Sequence, residues 1–216
     1  MPIIKIFYLW DLADTLFIEK WNKKLSGFDT YDDYVINLYQ KPLVSVTPLE
    51  YELAYEKPYK EGLYNLSIAD GFKEVLSWTK NNGVFTTGNK EQIDWRAVQL
   101  QNKYGFDVRP YIAEICSTFD YGNTNVKTKA MLVDLISKKI KQGFDAVVYT
   151  DDKSANCQFF IKAARKCLNL SAKFKFRVYN LSNNNSPLEK ISDDYYKIGD
   201  LGQLRDSEEY LLNHHD

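Results

Sequence analysis

"IFYLWDLADTLF" occupies residues 6–17, and its first five residues decide the fold. With the residues before them they form "IIKIFYLW" (3–10), a run of β-branched and aromatic side chains broken only by Lys5. Nearly continuous apolar character, without polar alternation, is the pattern of a strand buried on both faces of a sheet. Asp11 then follows directly. A carboxylate at the end of such a run merely terminates the strand, or it is held there by partners for a chemical purpose. Burying it without partners is costly, which favours the second reading.

Four more segments share the character of the first. They are "GVFTT" (83–87), "YIAEICS" (111–117), "AVVYT" (146–150) and "FKFRVYNL" (174–181). Between them apolar residues recur at helical spacing: Phe72, Val75, Leu76 and Thr79; Ile93, Ala97, Leu100 and Tyr104; Met131, Leu135, Ile136 and Ile140; Phe160, Ala163, Ala164 and Cys167. Gly83, Gly105 and Gly143 each follow such a stretch, where a left-handed residue closes a helix at little cost. Strand and helix in alternation predict an α/β fold, a doubly wound, Rossmann-like parallel sheet covered on both faces.

The alternation fails between Phe17 and Leu66. No buried strand is evident there; "YDDYVINLYQ" (31–40) reads as a helix, and a tract rich in Tyr and Pro continues to Lys60. An insertion this long exceeds a compact loop and predicts a small helical cap on residues 17–66, with the α/β core formed by 1–16 and 67–216. "NLSNNNSPLEK" (180–190) reads as a polar loop, and residues 195–212 as a strand fragment followed by a helix.

Composition narrows the function classes. Lys and Arg number 28 against 29 Asp and Glu, a net charge of -1, so no overall field draws nucleic acid or an anionic membrane. Cys116, Cys157 and Cys167 show no metal-binding spacing and, with only 2 His in the chain, fit a reducing cytoplasm. The N-terminal apolar run stops at Asp11, too short for a membrane span or a signal segment.

Ligands of open parallel sheets bind at the carboxyl ends of the strands. Those ends carry Asp11 with Thr15 close behind, Thr86 and Thr87 before Gly88, and Asp151 with Asp152; Lys127 precedes the helix leading into the Asp151 strand. Carboxylates, a hydroxyl and an ammonium are the parts of a metal-assisted phosphoryl site. The acids hold a hard cation, Mg²⁺ above all, one of them attacks phosphorus, and the donors bind the transferring oxygens. Each residue also has a plainer reading. The threonines suit any strand, Lys127 lies near Lys129, Lys138, Lys139 and Lys141 on a solvated helix, and Asp151 and Asp152 are natural caps for a helix beginning near Ser154. Asn156 either orients the acidic pair or belongs to that helix's polar face.

"WDLADTLF", "VFTTGNK", "VKTKAML" and "VVYTDDKSAN" together resemble the four ordered motifs of the haloacid dehalogenase (HAD) superfamily of phosphatases and related hydrolases. The resemblance runs from about residue 3 to 205 and includes the position of the inserted cap. It implies a nucleophile at Asp11 that forms an aspartyl phosphate and binds Mg²⁺, a backbone metal ligand at the Ala13 carbonyl, and a phosphate-binding hydroxyl at Thr87, with Thr86 a competitor. It further implies a charge-neutralising lysine at Lys127, a metal anchor at Asp152 and an accessory position at Asp151. The expected partner is a small phosphorylated substrate.

Ala13 departs from the pattern, because phosphatases of this family carry there a second aspartate that protonates the leaving oxygen and activates water. Loss of such a group costs about 10²–10⁴ in rate. The chain is then a slow phosphatase with its acid/base supplied by the cap, a phosphate-binding pseudoenzyme, a carrier of an introduced substitution, or a relative of the phosphonoacetaldehyde hydrolases. That last branch has D-x-A-G-T at this place and uses a cap lysine, for which Lys20, Lys23, Lys24, Lys57 and Lys60 are available. The many cap aromatics either stack on a substrate or form the core that a small module needs.

Overall fold

The computed structural model describes residues 4–205 and 207, apart from 123, 125 and 185. In chain order the elements are β1 (Ile6–Trp10), β2 (Phe17–Trp21), α1 (Lys23–Ser26), α2 (Tyr31–Tyr39), α3 (Pro48–Leu53), α4 (Glu56–Lys60), β3 (Tyr64–Ile68), α5 (Phe72–Trp78) and β4 (Asn82–Thr86). They continue with α6 (Lys90–Tyr104), β5 (Ile112–Ser117), α7 (Lys129–Lys141), β6 (Ala146–Asp151), α8 (Ser154–Cys167), β7 (Lys175–Leu181), β8 (Glu189–Ser192) and β9 (Tyr195–Ile198).

Seven strands form one sheet in the order β5-β4-β1-β6-β7-β9-β8, parallel throughout except for β8, which runs antiparallel to β9. This is the doubly wound α/β arrangement predicted. Side chains of a strand point alternately to opposite faces, and β1 divides two cores on that basis. Tyr8 and Trp10 join the cluster with Phe72, Val75 and Leu76 of α5 and Ile93, Ala97 and Leu100 of α6. Phe7 and Leu9 join Leu132, Leu135 and Ile136 of α7 and Phe160 and Ala164 of α8. Every residue of β1 after Ile6 is buried, which explains why its sequence shows no polar alternation.

Three expectations need correction. Residues 17–66 are not free of strands, because β2 and β3 pair antiparallel from Phe17↔Ile68 to Trp21↔Tyr64. β2 is only partly buried and carries Glu19 and Lys20, so it lacks an apolar run, and its partner lies far along the chain. The polar tract 180–190 ends in β8, whose four residues are all exposed; its pairing with β9 leaves no burial pattern to read. Gly83 closes no helix but lies within β4, and the left-handed residue after α5 is Asn81 at φ 56°. Asparagine tolerates that conformation. Gly83 lacks a side chain for lack of room, since a Cβ there would stand 2.4 Å from Phe7 Cζ. Gly105, at φ 65°, does close α6. The helix expected after β9 lies mostly outside the described residues.

The segment between β2 and β3 has its own core. Thr30 and Thr47 start α2 and α3 with reciprocal capping boxes to Asp33 and Glu50. Tyr31 stacks on Tyr55 at 4.2 Å between ring centres, with Tyr34, Val35 and Tyr64 around them. The aromatic richness of this segment is therefore mainly its packing area. Among the described residues, no helix is long and apolar enough to cross a membrane.

Candidate active site

β1 and β6 are adjacent and parallel, with Trp10 opposite Thr150, so Asp11 and Asp151 emerge side by side at the same edge. The Asp11 amide donates to the Thr150 carbonyl at 2.8 Å. Beyond Asp11 the chain turns sharply: the Leu12 carbonyl accepts from the amides of Leu16 and Phe17, and Asp14 adopts φ 56°. Thr15 is fully buried, and its hydroxyl accepts the Asp152 amide at 3.1 Å, tying this turn to the one after β6.

Lys127 lies two residues before α7 and is almost wholly buried, unlike the solvated Lys129 and Lys141. Its ammonium donates to Asp11 Oδ1 at 2.5 Å, Asp151 Oδ2 at 2.7 Å and the Tyr149 hydroxyl at 3.1 Å. Asp151 is saturated with donors. Besides Lys127 it accepts the Tyr149 hydroxyl at 2.5 Å, the Lys153 amide at 2.8 Å and the Asn156 side-chain amide on both oxygens at 3.1 Å. The Asn180 side chain donates to the Asp151 and Asp152 carbonyls, holding the turn itself.

Asp152 differs, since its Oδ1 is buried and has no hydrogen-bond partner. One oxygen from each of Asp11, Asp151 and Asp152 lies within 4.8 Å of the others. Burial pushes Asp11 up to about 7 despite the opposing pull of Lys127, and Asp151 adds to the rise. Burial and Asp151 push Asp152 up to about 6. Three carboxylates face one ammonium, and a buried oxygen lacks a donor. This charge deficit and the all-oxygen donor set fit a hard divalent cation.

Thr86, the last residue of β4, is buried and accepts the Gly88 amide at 3.1 Å; Thr87 is half-buried just beyond the strand. Both line a cavity of about 360 Å³ that also meets Leu12, Ala13 and Asp14 on the core side and Pro48, Tyr51 and Tyr55 on the inserted segment. Asp11, Lys127 and Asp151 are thus gathered in one hydrogen-bonded cluster with Asp152 close by, and Ala13, Thr86 and Thr87 border a cavity. Lys20, Lys23, Lys24, Lys57 and Lys60 are all exposed, and none lines it.

Sequence reasoning missed Tyr149, which reads as an ordinary strand aromatic, and left the role of Asn156 open. It also missed a charged group on the cavity's wall. There Arg96 of α6 is buried between Glu19 of β2, at 2.9 Å, and Glu52 of α3, at 3.2 Å, beneath the Tyr55 ring. The one available signal was an arginine on the apolar side of a helix, adjacent to Ala97.

No family model matches the chain. No curated protein matches it either. A HAD family enzyme from Bacteroides thetaiotaomicron, solved as a magnesium complex, is a similar solved structure. It is 14% identical, the similarity covers 81% of this chain and 92% of that one, and the TM-score is 0.44. A likeness this distant assigns no role to any residue.

Proposed function

We propose that the chain is a Mg²⁺-dependent hydrolase of the HAD type that cleaves a small phosphate monoester, with Asp11 as nucleophile and residues 17–66 as the cap over the substrate. The observation that carries this reading is the cluster at the β1 and β6 ends. Asp11 is held by Lys127, Lys127 is held by Asp151 and Tyr149, and Asp152 presents an oxygen without a donor.

Asp11, Asp152 and the Ala13 carbonyl would hold the cation, with Asp151 beside them. Because the oxygens of Asp151 already accept five hydrogen bonds, its main work in this reading is to fix Lys127. When bound, Mg²⁺ would supply charge neutralisation for the phosphoryl oxygens and would favour the ionised form of Asp11. Lys127 removes charge from the attacking carboxylate and steadies its orientation, so that one Asp11 oxygen faces phosphorus. Thr87, on the cavity wall, donates to a phosphoryl oxygen, while the Gly88 amide already engages the Thr86 hydroxyl. The cleavage of a carbon–phosphorus bond through a lysine Schiff base is less well supported, because such a lysine must be desolvated, whereas Lys20, Lys23, Lys24, Lys57 and Lys60 are exposed.

The test is a phosphate-ester panel with and without Mg²⁺, following phosphate release and an acid-stable label on the protein. A metal-dependent label lost in Asp11→Asn is expected. A phosphate-binding protein, one of the readings that Ala13 leaves open, would keep ligand affinity in Asp11→Asn and show neither label nor release.

A further inference from the structure

Ala13 borders the cavity with a methyl group, so a hydrolase reading leaves the leaving oxygen without a proton donor at that position. Other carboxylates line the same cavity, and their partners separate them. The Asp14 side chain is turned toward the hairpin, where Oδ1 accepts the Glu19 amide at 3.2 Å. Asp32 accepts the Tyr51 hydroxyl at 2.7 Å within the inserted segment. Glu52 instead hangs over the loop after β4. Its Oε2 lies 3.4 Å from the point a Cβ on Gly88 would occupy, and that same point is 3.5 Å from Thr86 Oγ1. Glu52 is only 8% exposed, and this carboxyl from the inserted segment lines the same cavity as the predicted phosphate-binding threonines.

The charges around Glu52 leave a proton to be held. Arg96 is shared by Glu19 and Glu52, and Glu19 also receives the Tyr64 hydroxyl, so the buried Glu52 and the partly buried Glu19 face one guanidinium. A surplus buried negative charge is relieved by protonation. Burial pushes the Glu52 carboxyl above its ordinary range, Glu19 adds to the rise, and Arg96 and the Asn89 amide oppose it.

We propose that Glu52 is the general acid and base that Ala13 cannot be. This inference rests on the aspartyl-phosphate reading of the same site. In the first step an Asp11 oxygen bonds to phosphorus and the bond from phosphorus to the ester oxygen breaks. The departing oxygen takes the Glu52 proton, giving the free alcohol and a Glu52 carboxylate. In the second step that carboxylate takes a proton from water, the water oxygen bonds to phosphorus, and the bond to Asp11 breaks. Inorganic phosphate leaves with Asp11 ionised and Glu52 protonated again. Proton transfer in this scheme requires α3 to be seated against α6, because Arg96 is what holds Glu52 over the loop.

The experiment compares Glu52→Gln with the unaltered chain in Mg²⁺, using 2,4-dinitrophenyl phosphate, whose leaving group needs no proton, and an alkyl phosphate, whose leaving group does. Glu52→Gln is expected to lower alkyl phosphate turnover about 10²–10⁴-fold. It should release a full burst of dinitrophenol and then stall as the Asp11 phosphoenzyme, and adding Ala13→Asp should restore turnover. Unchanged alkyl phosphate turnover overturns the proposal. So does an equal loss on both esters with no burst, since that is the mark of a merely structural residue. If Glu52→Gln gives no cooperative thermal transition, Glu52→Asp replaces it; lost alkyl phosphate turnover with the dinitrophenol burst retained supports the proposal, and an equal loss on both esters with no burst overturns it. Absence of any label on Asp11 in the unaltered chain overturns the aspartyl-phosphate reading itself, whereas normal labelling with Glu52 dispensable overturns this inference alone.

Discussion

Replacing Lys127 by Met removes the cation from the centre of the acidic cluster and keeps most of its length. The ammonium is hydrogen-bonded to Asp11 at 2.5 Å and Asp151 at 2.7 Å, and all three groups are buried. At an effective dielectric constant near 20, each contact is worth about 6 kcal/mol of attraction before desolvation is charged against it. Removing one partner of a buried ion pair costs about 3–5 kcal/mol, because the other charge is left uncompensated. In a domain of this size each kcal/mol moves the melting temperature by about 2–4 °C, so a fall of roughly 6–20 °C is expected at pH 7 in chelator. The freed carboxylates have another route to relief, since each is able to take up a proton. The deficit relative to the unaltered chain should therefore shrink as pH drops toward about 5, a direction that follows from linkage. Mg²⁺ should raise the melting temperature of Lys127→Met more than that of the parent, by mass action on a site with one cation fewer. The assay is thermal unfolding followed by circular dichroism across pH, with EDTA or Mg²⁺. A melting temperature unchanged by the substitution, or a deficit independent of pH, would refute the idea that Lys127 neutralises this cluster.

In the unaltered chain without a divalent cation, Asp11 rises from 3.8 to about 7 on folding and Asp152 from 3.8 to about 6. Their contribution to stability is fully present below the unfolded value and is lost as pH climbs through those two values; Mg²⁺ should flatten or reverse that slope in a melting series. Gly83→Ala should cost about 1–3 kcal/mol in urea denaturation, since its Cβ would meet Phe7 Cζ at 2.4 Å in a packed core. Arg96→Leu should cost about 3–5 kcal/mol by leaving Glu19 and Glu52 buried without their shared cation. Limited proteolysis should then cut first within residues 22–63, because that guanidinium joins the inserted segment to α6.

Much of the core was legible because its signals are local. Residues 6–10 show no polar alternation since both faces of β1 are covered, and that feature survives in the string of letters. The same holds for the 3.6-residue stripes of α7 and α8 and for Gly105 at the end of α6. β2 and β8 were illegible for the complementary reason. One is half-buried and pairs with a distant partner, and the other is wholly exposed, so neither leaves a periodic trace. Gly83 looked like a helix stop because composition alone does not distinguish a glycine needed for its backbone angle from one needed for space.

The amino-acid order by itself determined which segments become buried strands, and hence that Asp11, the Thr86 and Thr87 pair and Asp151 stand at strand ends, because burial on both faces imposes a pattern on each segment separately. Only the tertiary structure decided that the strands bearing these ends are neighbours, that Lys127 is buried against Asp11 across 116 positions, that Tyr149 and Asn156 saturate Asp151, and that Arg96 draws Glu52 over the cavity. Those pairings depend on distances between segments, and charge compensation in a buried site is a property of the whole group of side chains rather than of any one of them.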